Sequence, residues 1–285
     1  MPKPEMLEIK KHKDELYIGI PRETHFEEKR ICLTPNAVAA LTSNGHRIVV
    51  ESGAGDGTNF SDNDYSEAGA KISYNPNDVF ACNIILKIEP PSLGEIKMMN
   101  PQSVLFSAMQ IKTQTKEYFK ALAEKRITAI AFDYIQDSHG LYPLVKSLSE
   151  IAGIASILIA AEIMNNNNIG NGLLLGNIGG VPPSKVVIIG AGTVAEYAAR
   201  SALGLGASVE VFDNSLTKLR NLQHKLQFPI ATSTIQPKNL LKSLIDCDVV
   251  IGALRGKTRT PVVVTEEMVQ QMKNGAVVID VSIDN

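Results

Sequence analysis

The stretch VVIIGAGTVA at residues 186–195 joins an apolar run to the pattern G-x-G-x-x-A, formed by Gly190, Gly192 and Ala195. The run predicts a buried strand and the residues after the glycines predict a helix, so the glycines lie at a strand-to-helix turn. There the first glycine permits the tight bend, the second lets a pyrophosphate approach the backbone, and the small third residue allows close helix–strand packing. The first amides of the helix would face the phosphates. The spacing alone is weak evidence, because glycine-rich turns also occur in α/β proteins without a ligand.

Asp213 strengthens the interpretation of this turn. It ends the next predicted strand, SVEVFD at residues 208–213, where a carboxylate can accept hydrogen bonds from the adenosine ribose. The same charge would repel the 2′-phosphate of NADP, so the pattern predicts a dinucleotide site that favours NAD. Lys218 either approaches the ribose or is solvated.

Strands and helices alternate along the whole chain. In the first half, apolar runs such as RIVVES, NIILKI, SVLFSA and ITAIAF are separated by helical segments such as TKEYFKALAEKR. Buried parallel strands covered by helices give this pattern. At roughly 150 residues per domain, 285 residues suggest about two domains. We predict an N-terminal α/β domain at 1–146 and a Rossmann-type, doubly wound domain at 147–285, the latter including a buried linker helix from about Ser147.

Composition narrows the class of protein. The 28 basic and 30 acidic residues give a net charge of −2, which does not favour nucleic-acid binding. Cys32, Cys82 and Cys247 are widely spaced and form no C-x-x-C, so we expect core thiols of an intracellular protein and no metal cluster. The first residues contain no apolar stretch for a signal peptide, and the segment IAGIASILIAAEIM is short for a membrane span. We therefore expect a soluble, cytoplasmic protein without a membrane span.

Several longer motifs resemble one family. They are IGIPRETHFEEKRICLTPNAV, VVESGAGDGTNFSDNDYSEAGAKI, IILKIEPP, SLSEIAG, VVIIGAGTVA and VVIDVSIDN. Together they are similar to the family of alanine dehydrogenases and the alpha subunits of proton-translocating transhydrogenases, from Leu16 to Asn285. The resemblance implies an N-terminal substrate domain, a Rossmann domain that binds NAD, a cleft between them, and reversible NAD-dependent oxidative deamination of L-alanine to pyruvate and ammonia. It also implies a homo-oligomer.

The resemblance assigns roles to individual positions. Arg30 matches the arginine that holds the substrate carboxylate, although it would otherwise be a surface arginine beside Glu27 and Glu28. Ser149 matches a residue that contacts the cofactor. Ala253 and Leu254 match residues that lie beside the nicotinamide ribose in this family. Asp284 matches the aspartate near the nicotinamide, which is expected to orient water or ammonia.

Two catalytic positions depart from the family pattern. Lys87 in LKIEPP matches the first lysine of Lys-x-Lys-Glu-Pro, but the second, substrate-binding lysine falls on Glu89. If Lys87 and Glu89 lie on one strand, alternation puts both side chains on one face of the sheet. Lys87 then either reaches the cleft, or both residues have an ion-pair or structural role. The acid/base histidine aligns with Gln110, which can orient a reacting group but cannot exchange a proton as imidazole does. His139 is a weak substitute.

Relatives of this family continue beyond the position of Asn285, so the resemblance implies a chain that is truncated at its C-terminus. With the two departures, this leaves the activity of the chain open. The alternatives to an alanine dehydrogenase are a non-catalytic nucleotide-binding relative and a transhydrogenase alpha-like subunit, whose relatives also lack the histidine and the second lysine.

Overall fold

A computed structural model of the chain describes residues 15–25, 27–111, 113–138, 142–166, 169–254, 260 and 262–282. The chain divides into two compact units between Ile135 and Gln136. The first long helix of the second unit begins at Pro143, because proline is favourable in the first turn of a helix. The predicted boundary at 146/147 falls inside this helix, whose continuous apolar run starts only after the polar residues Ser147, Ser149 and Glu150.

The N-terminal unit is a parallel sheet with helices in the connections. Its strands are β1 (Tyr17–Ile20), β2 (Arg47–Glu51), β3 (Lys71–Ser73), β4 (Ile84–Leu86), β5 (Val104–Ser107) and β6 (Thr128–Ala131). Its helices are α1 (Pro35–Ser43), α2 (Asp62–Glu67), α3 (Pro76–Phe80), α4 (Leu93–Met98) and α5 (Lys116–Glu124). The order in the sheet is β3-β2-β1-β4-β5-β6, so the chain changes direction across the sheet between β1 and β4.

Local sequence explains where these helices begin. Ser61 and Ser92 each cap a helix and accept a hydrogen bond from the third residue of that helix, while the carboxylates of Asp64 and Glu95 accept from the cap backbone. These reciprocal bonds satisfy amides that the helix itself leaves unpaired. The helices then cover the buried residues of the central strands, among them Ile20, Val50, Ile85 and Leu105.

The C-terminal unit contains a second parallel sheet. Its elements are α6 (Pro143–Asn165), β7 (Lys185–Ile189), α7 (Thr193–Gly204), β8 (Ser208–Phe212), α8 (Leu216–Leu226), β9 (Ala231–Ser233), α9 (Pro237–Asp246), β10 (Val249–Gly252), α10 (Glu266–Val269) and β11 (Val277–Asp280). The strand order β11-β10-β7-β8-β9 is that of a doubly wound sheet. The predicted α/β fold with a Rossmann-type domain is confirmed.

Helix α6 differs from its prediction in burial and in length. Gly153 lets it approach α7 closely, since a Cβ at this position would lie 2.4 Å from the carbonyl oxygen of Val194. Its other side exposes apolar side chains, including Ile151 and Leu158, so the expectation of a buried helix is wrong. With 23 residues and a mean hydropathy of 1.7, the helix is long and apolar enough to cross a membrane. The core helices of soluble proteins can have the same length and hydropathy.

Candidate functional site

The N-terminal unit brings polar side chains together where its sheet changes direction. Ligands of open α/β sheets bind beyond the carboxyl ends of the strands at such a switch point. The loop after β1 carries Glu23 and Arg30, the residues after β4 carry Lys87 and Glu89, and the loop after β5 carries Gln110. The three strands are neighbours, so the fold itself places these residues along one edge.

Lys87 and Glu23 form a buried ion pair across the switch point. The side chain of Lys87 is 1% exposed, and its Nζ donates to Glu23 Oε2 at 2.5 Å. Glu95 lies farther away, with Oε1 3.9 Å from Nζ. The other oxygen of Glu23 accepts from the backbone N–H of Ile88 at 2.6 Å. Glu23 thus holds both the ammonium group and the backbone that follows β4.

Strand β4 ends at Leu86 and does not include Lys87 or Glu89, so the expectation that strand alternation puts both side chains on one face is wrong. Of the two roles left open for Lys87, the structure shows the ion pair, although its partner is Glu23 and not Glu89. The sequence offered one signal for Glu23: a carboxylate placed shortly after a buried strand.

Arg30 is paired with a residue two positions before it. Its backbone N–H and its Nε both donate to Glu28 Oε1 at 2.8 Å, and its Nη2 donates to Oε2 at 2.5 Å. The bonds to the guanidinium lower the pKa of Glu28 and raise that of Arg30. Both residues line a cavity of about 300 Å³ beside Glu23 and Gly53. Arg30 is therefore a surface arginine beside Glu28, which is the alternative to a carboxylate-binding role that the sequence left open. It also faces a cavity, so the structure is compatible with both interpretations.

Cys32 lies close to this cluster. Burial raises the pKa of its thiol to about 12, and the negative charge of Glu23 adds to the effect. The thiol is therefore protonated at neutral pH and is a poor nucleophile.

Gln110 and Glu89 contact each other. Gln110 Nε2 donates to Glu89 Oε2 at 2.8 Å. The backbone of Gln110 has a φ of +44°, which non-glycine residues rarely adopt. Its carbonyl oxygen accepts from both the backbone N–H and the hydroxyl of Thr113, each at 2.9 Å. The two positions that depart from the family pattern thus form one hydrogen-bonded pair.

In the C-terminal unit, the glycine turn lies at the second switch point, between β7 and β10. Gly190 has a φ of +118°, and a Cβ there would lie 2.4 Å from the carbonyl oxygen of Ala253. A Cβ on Gly192 would meet no atom within 4 Å. Ala195 is fully buried in the core beneath. The first glycine is thus required by the fold, whereas the second keeps open space in front of the turn.

The start of α7 fits a phosphate group. Helices α6 and α9 begin with proline and most others have a side-chain cap, but the N-cap of α7 is Gly192, which provides no side-chain hydrogen bond. Its first amides are therefore left to an external acceptor, and the helix dipole favours a negative one. A cavity of about 250 Å³ lies there, lined by Gly192, Thr193 and Lys218. The turn therefore has the space and the donors that a pyrophosphate requires.

Asp213 is fixed at the end of β8. Its carboxylate accepts from the backbone N–H of Ala191 at 2.8 Å and from that of Ser215 at 2.7 Å. Each carboxylate oxygen can accept a further hydrogen bond. Asp213 thus links the glycine turn to the end of β8 by a hydrogen bond, and its carboxylate oxygens can still accept hydrogen bonds from a ribose.

The remaining predicted residues are placed as follows. Ala253 and Leu254 follow β10 and are half-buried. The backbone N–H of Ala253 donates to the carbonyl oxygen of Ile189 at 2.8 Å. Ser149 lies in α6, and its hydroxyl donates to the carbonyl oxygen of Val145 at 2.8 Å. Asp284 and His139 lie outside the described residues.

Comparison with sequence families matches both halves of the chain. Residues 19–152 match the N-terminal domain of "Alanine dehydrogenase/PNT", and residues 156–285 match its C-terminal domain. The alanine dehydrogenase of Staphylococcus epidermidis is 37% identical over 268 residues, which cover 94% of this chain and 72% of the relative. That of Bacillus subtilis is 38% identical over 270 residues, covering 94% and 71%.

Solved structures agree with the sequence comparison. An L-alanine dehydrogenase superposes with a TM-score of 0.88 at 32% identity, over 93% of this chain and 73% of the other. A transhydrogenase from Sinorhizobium meliloti has a TM-score of 0.80 at 25% identity, over 92% and 76%.

Proposed function

Because the chain belongs to the alanine dehydrogenase/PNT family, we propose that it catalyses the NAD-dependent oxidative deamination of L-alanine to pyruvate and ammonia. One observation carries the proposal: alanine dehydrogenases match the chain at 37–38% identity over 94% of its length, with both units included. The geometry supports it, since each unit has a polar or glycine-rich cluster at its switch point.

The C-terminal unit supplies the cofactor site. The amides at the start of α7 bind the pyrophosphate, and the open space at Gly192 admits it. Asp213, held by the backbone N–H of Ala191, would accept hydrogen bonds from the adenosine ribose, and Lys218 lines the cavity in front of the glycine turn. Ala253 and Leu254 lie beside the nicotinamide ribose, and Ser149 contacts the cofactor. NAD, when bound, supplies the carbon that accepts hydride from the substrate.

The N-terminal unit supplies the substrate site. Arg30 binds the carboxylate of alanine, since a guanidinium keeps donors free after its pairing with Glu28. Lys87 and Gln110 position the amine-bearing carbon, and Glu23 holds Lys87 in place. Asp284 orients the attacking water.

The reaction has two stages with different demands on the chain. The ammonium group of alanine releases a proton to solvent before the reaction. Loss of hydride from the α-carbon, for which NAD would be the acceptor, then gives an iminium ion; water adds to this ion and ammonia departs as ammonium, which leaves pyruvate. The first stage depends on orientation and on exclusion of bulk water. The second stage needs proton transfers that Gln110 cannot perform. We therefore propose that hydride transfer is retained and that turnover is slow.

A nucleotide-binding subunit without turnover, as in a transhydrogenase-like assembly, is the second candidate. The Gln110–Glu89 contact favours it, because Gln110 cannot exchange a proton and Glu89 carries a negative charge at the position where the family pattern has a lysine. The similarity to a transhydrogenase is consistent with it.

We also propose that the protein is a cytoplasmic homo-oligomer. The exposed apolar side chains of α6 support association, since large apolar patches favour contact with another protein surface. The three free cysteines are consistent with a reducing compartment.

Two measurements on the full chain test the proposed function. Calorimetric titration with NAD and with NADP should give tighter binding of NAD, because the carboxylate of Asp213 repels a 2′-phosphate. NADH formation should depend on L-alanine. Binding of NAD without any alanine-dependent NADH would instead support the subunit without turnover.

A further inference from the structure

We propose that Glu28 is a positioning residue that holds one edge of the Arg30 guanidinium and thereby presents the adjacent edge to the substrate carboxylate. This inference rests on the proposed function, since it concerns the residue that binds the carboxylate of alanine. It adds a residue to which neither the sequence nor the family pattern gave a role.

The hydrogen bonds define which edge is occupied. Glu28 accepts from Nε and from Nη2 of Arg30, so two of the five guanidinium N–H groups are used. Nε and Nη2 form one side of the planar fork, which leaves Nη1 and the second hydrogen of Nη2. These remaining donors can bind another carboxylate through two parallel hydrogen bonds.

The burial of the two side chains shows that Glu28, and not Arg30, is the more firmly held member of the pair. The side chain of Glu28 is 7% exposed, whereas that of Arg30 is 50% exposed. The backbone N–H of Arg30 also donates to Glu28, so the carboxylate is tied to the loop as well as to the guanidinium. Glu28 is therefore the anchored partner, and Arg30 is the one that keeps free donors at the cavity.

Charge alone would make Glu28 unfavourable for this task. Its negative charge opposes the approach of a substrate carboxylate, and Glu23 and Glu89 lie near enough to interact with Arg30 too. A lone guanidinium would attract the substrate more strongly but would sample many rotamers. The two effects of removing Glu28 have opposite signs, and the sign of the change in affinity therefore identifies the role.

The test compares Glu28→Gln with Glu27→Gln in the full chain. Glu27 is the exposed neighbour of Glu28 and has no role in the proposed site, so its variant controls for the change in net charge. We expect Glu28→Gln to raise the KM for L-alanine and the Kd for pyruvate about tenfold, with a smaller change in kcat; a misplaced binding group can cost up to ~100-fold. Glu28→Asp should recover part of the loss.

A double-mutant cycle separates positioning from a purely structural role. Lysine has no planar fork to orient, so Glu28→Gln should raise the KM in the Arg30→Lys background much less than in the parent. Equal losses in both backgrounds would overturn the proposal, as would a lower KM in Glu28→Gln. A single cooperative unfolding transition in each variant, complete only above the assay temperature, checks that the unit remains folded.

NMR of the arginine side chain tests the proposal without any activity. The Nε–H signal of Arg30 should be protected from exchange in the parent chain and lose that protection in Glu28→Gln. Arg126, which is exposed, serves as the unprotected reference. An Arg30 Nε–H that exchanges as fast as that of Arg126 in the parent chain would overturn the positioning role.

The binding of pyruvate separates this proposal from the proposed function. If NADH never forms but Glu28→Gln still weakens pyruvate binding, the proposed reaction fails and the positioning role stands. If the parent chain does not bind pyruvate, the positioning role fails as well.

Discussion

The amide of Gln110 and the carboxylate of Glu89 are joined by a hydrogen bond of 2.8 Å, although the two residues follow different strands. A change at one position therefore affects the other. Because the carboxylate accepts from the amide, a histidine at position 110 would lie beside a negative charge, which favours the protonated imidazole.

We expect Gln110→His to raise kcat for the oxidation of L-alanine by roughly 10²-fold or more, because an imidazole can exchange the protons that imine hydrolysis requires. Histidine tolerates the positive φ of this position better than most residues. Gln102→His is the matched control, since Gln102 also has a positive φ, at +64°, and lies away from the site. Equal rates for the parent and for Gln110→His would show that another group transfers the proton.

The two glycines of the turn should respond differently to alanine. Gly192→Ala should fold normally, because its Cβ meets no protein atom, but weaken NAD binding about tenfold or more, or ~1.4 kcal/mol. Gly190→Ala should lower the free energy of unfolding by about 1–3 kcal/mol, because alanine is strained at a φ of +118°. Calorimetry and thermal unfolding measure the two effects. Unchanged NAD affinity in Gly192→Ala would contradict the placement of the pyrophosphate.

The turn illustrates what the sequence could predict. Its strand, glycines and helix are contiguous, so local pattern identified both the motif and the doubly wound fold. The partner of Lys87 could not be found in this way, because Glu23 is 64 positions away and reaches it only when β1 and β4 pair. The Gln110–Glu89 contact likewise depends on the pairing of β4 with β5. Sequence pattern therefore supplied candidate positions, and strand order decided which of them meet.

We expect Lys87→Met to lower the free energy of unfolding by about 3–5 kcal/mol, because it leaves the carboxylate of Glu23 buried without its counter-ion. Lys120→Met is the control: Lys120 pairs with Glu124 on the exposed side of α5, and its loss should change stability by no more than ~0.5 kcal/mol. Urea unfolding of both variants gives the comparison. Similar losses for the two lysines would mean that the buried pair does not stabilise the unit.

The pair of Glu28 with Arg30 should make stability depend on pH. The hydrogen bonds from Arg30 hold the pKa of Glu28 below its ordinary value in the folded chain. Its stabilising contribution is therefore fully present above the pKa of the unfolded chain and is lost as the pH falls through the lowered folded value. The difference in unfolding free energy between the parent and Glu28→Gln should shrink over this acidic range, whereas Glu27→Gln should show no such change. A pH-independent difference would argue against the pair.

In the proposed reaction, a hydrogen moves from the α-carbon of L-alanine to NAD bound on this chain. The most direct measurement is a single turnover with L-alanine deuterated at the α-carbon, followed by mass spectrometry of the nucleotide. We expect NADH that carries one deuterium, formed with the L but not the D isomer of alanine, even if later steps are slow. Nucleotide that binds but remains oxidised and unlabelled would contradict it.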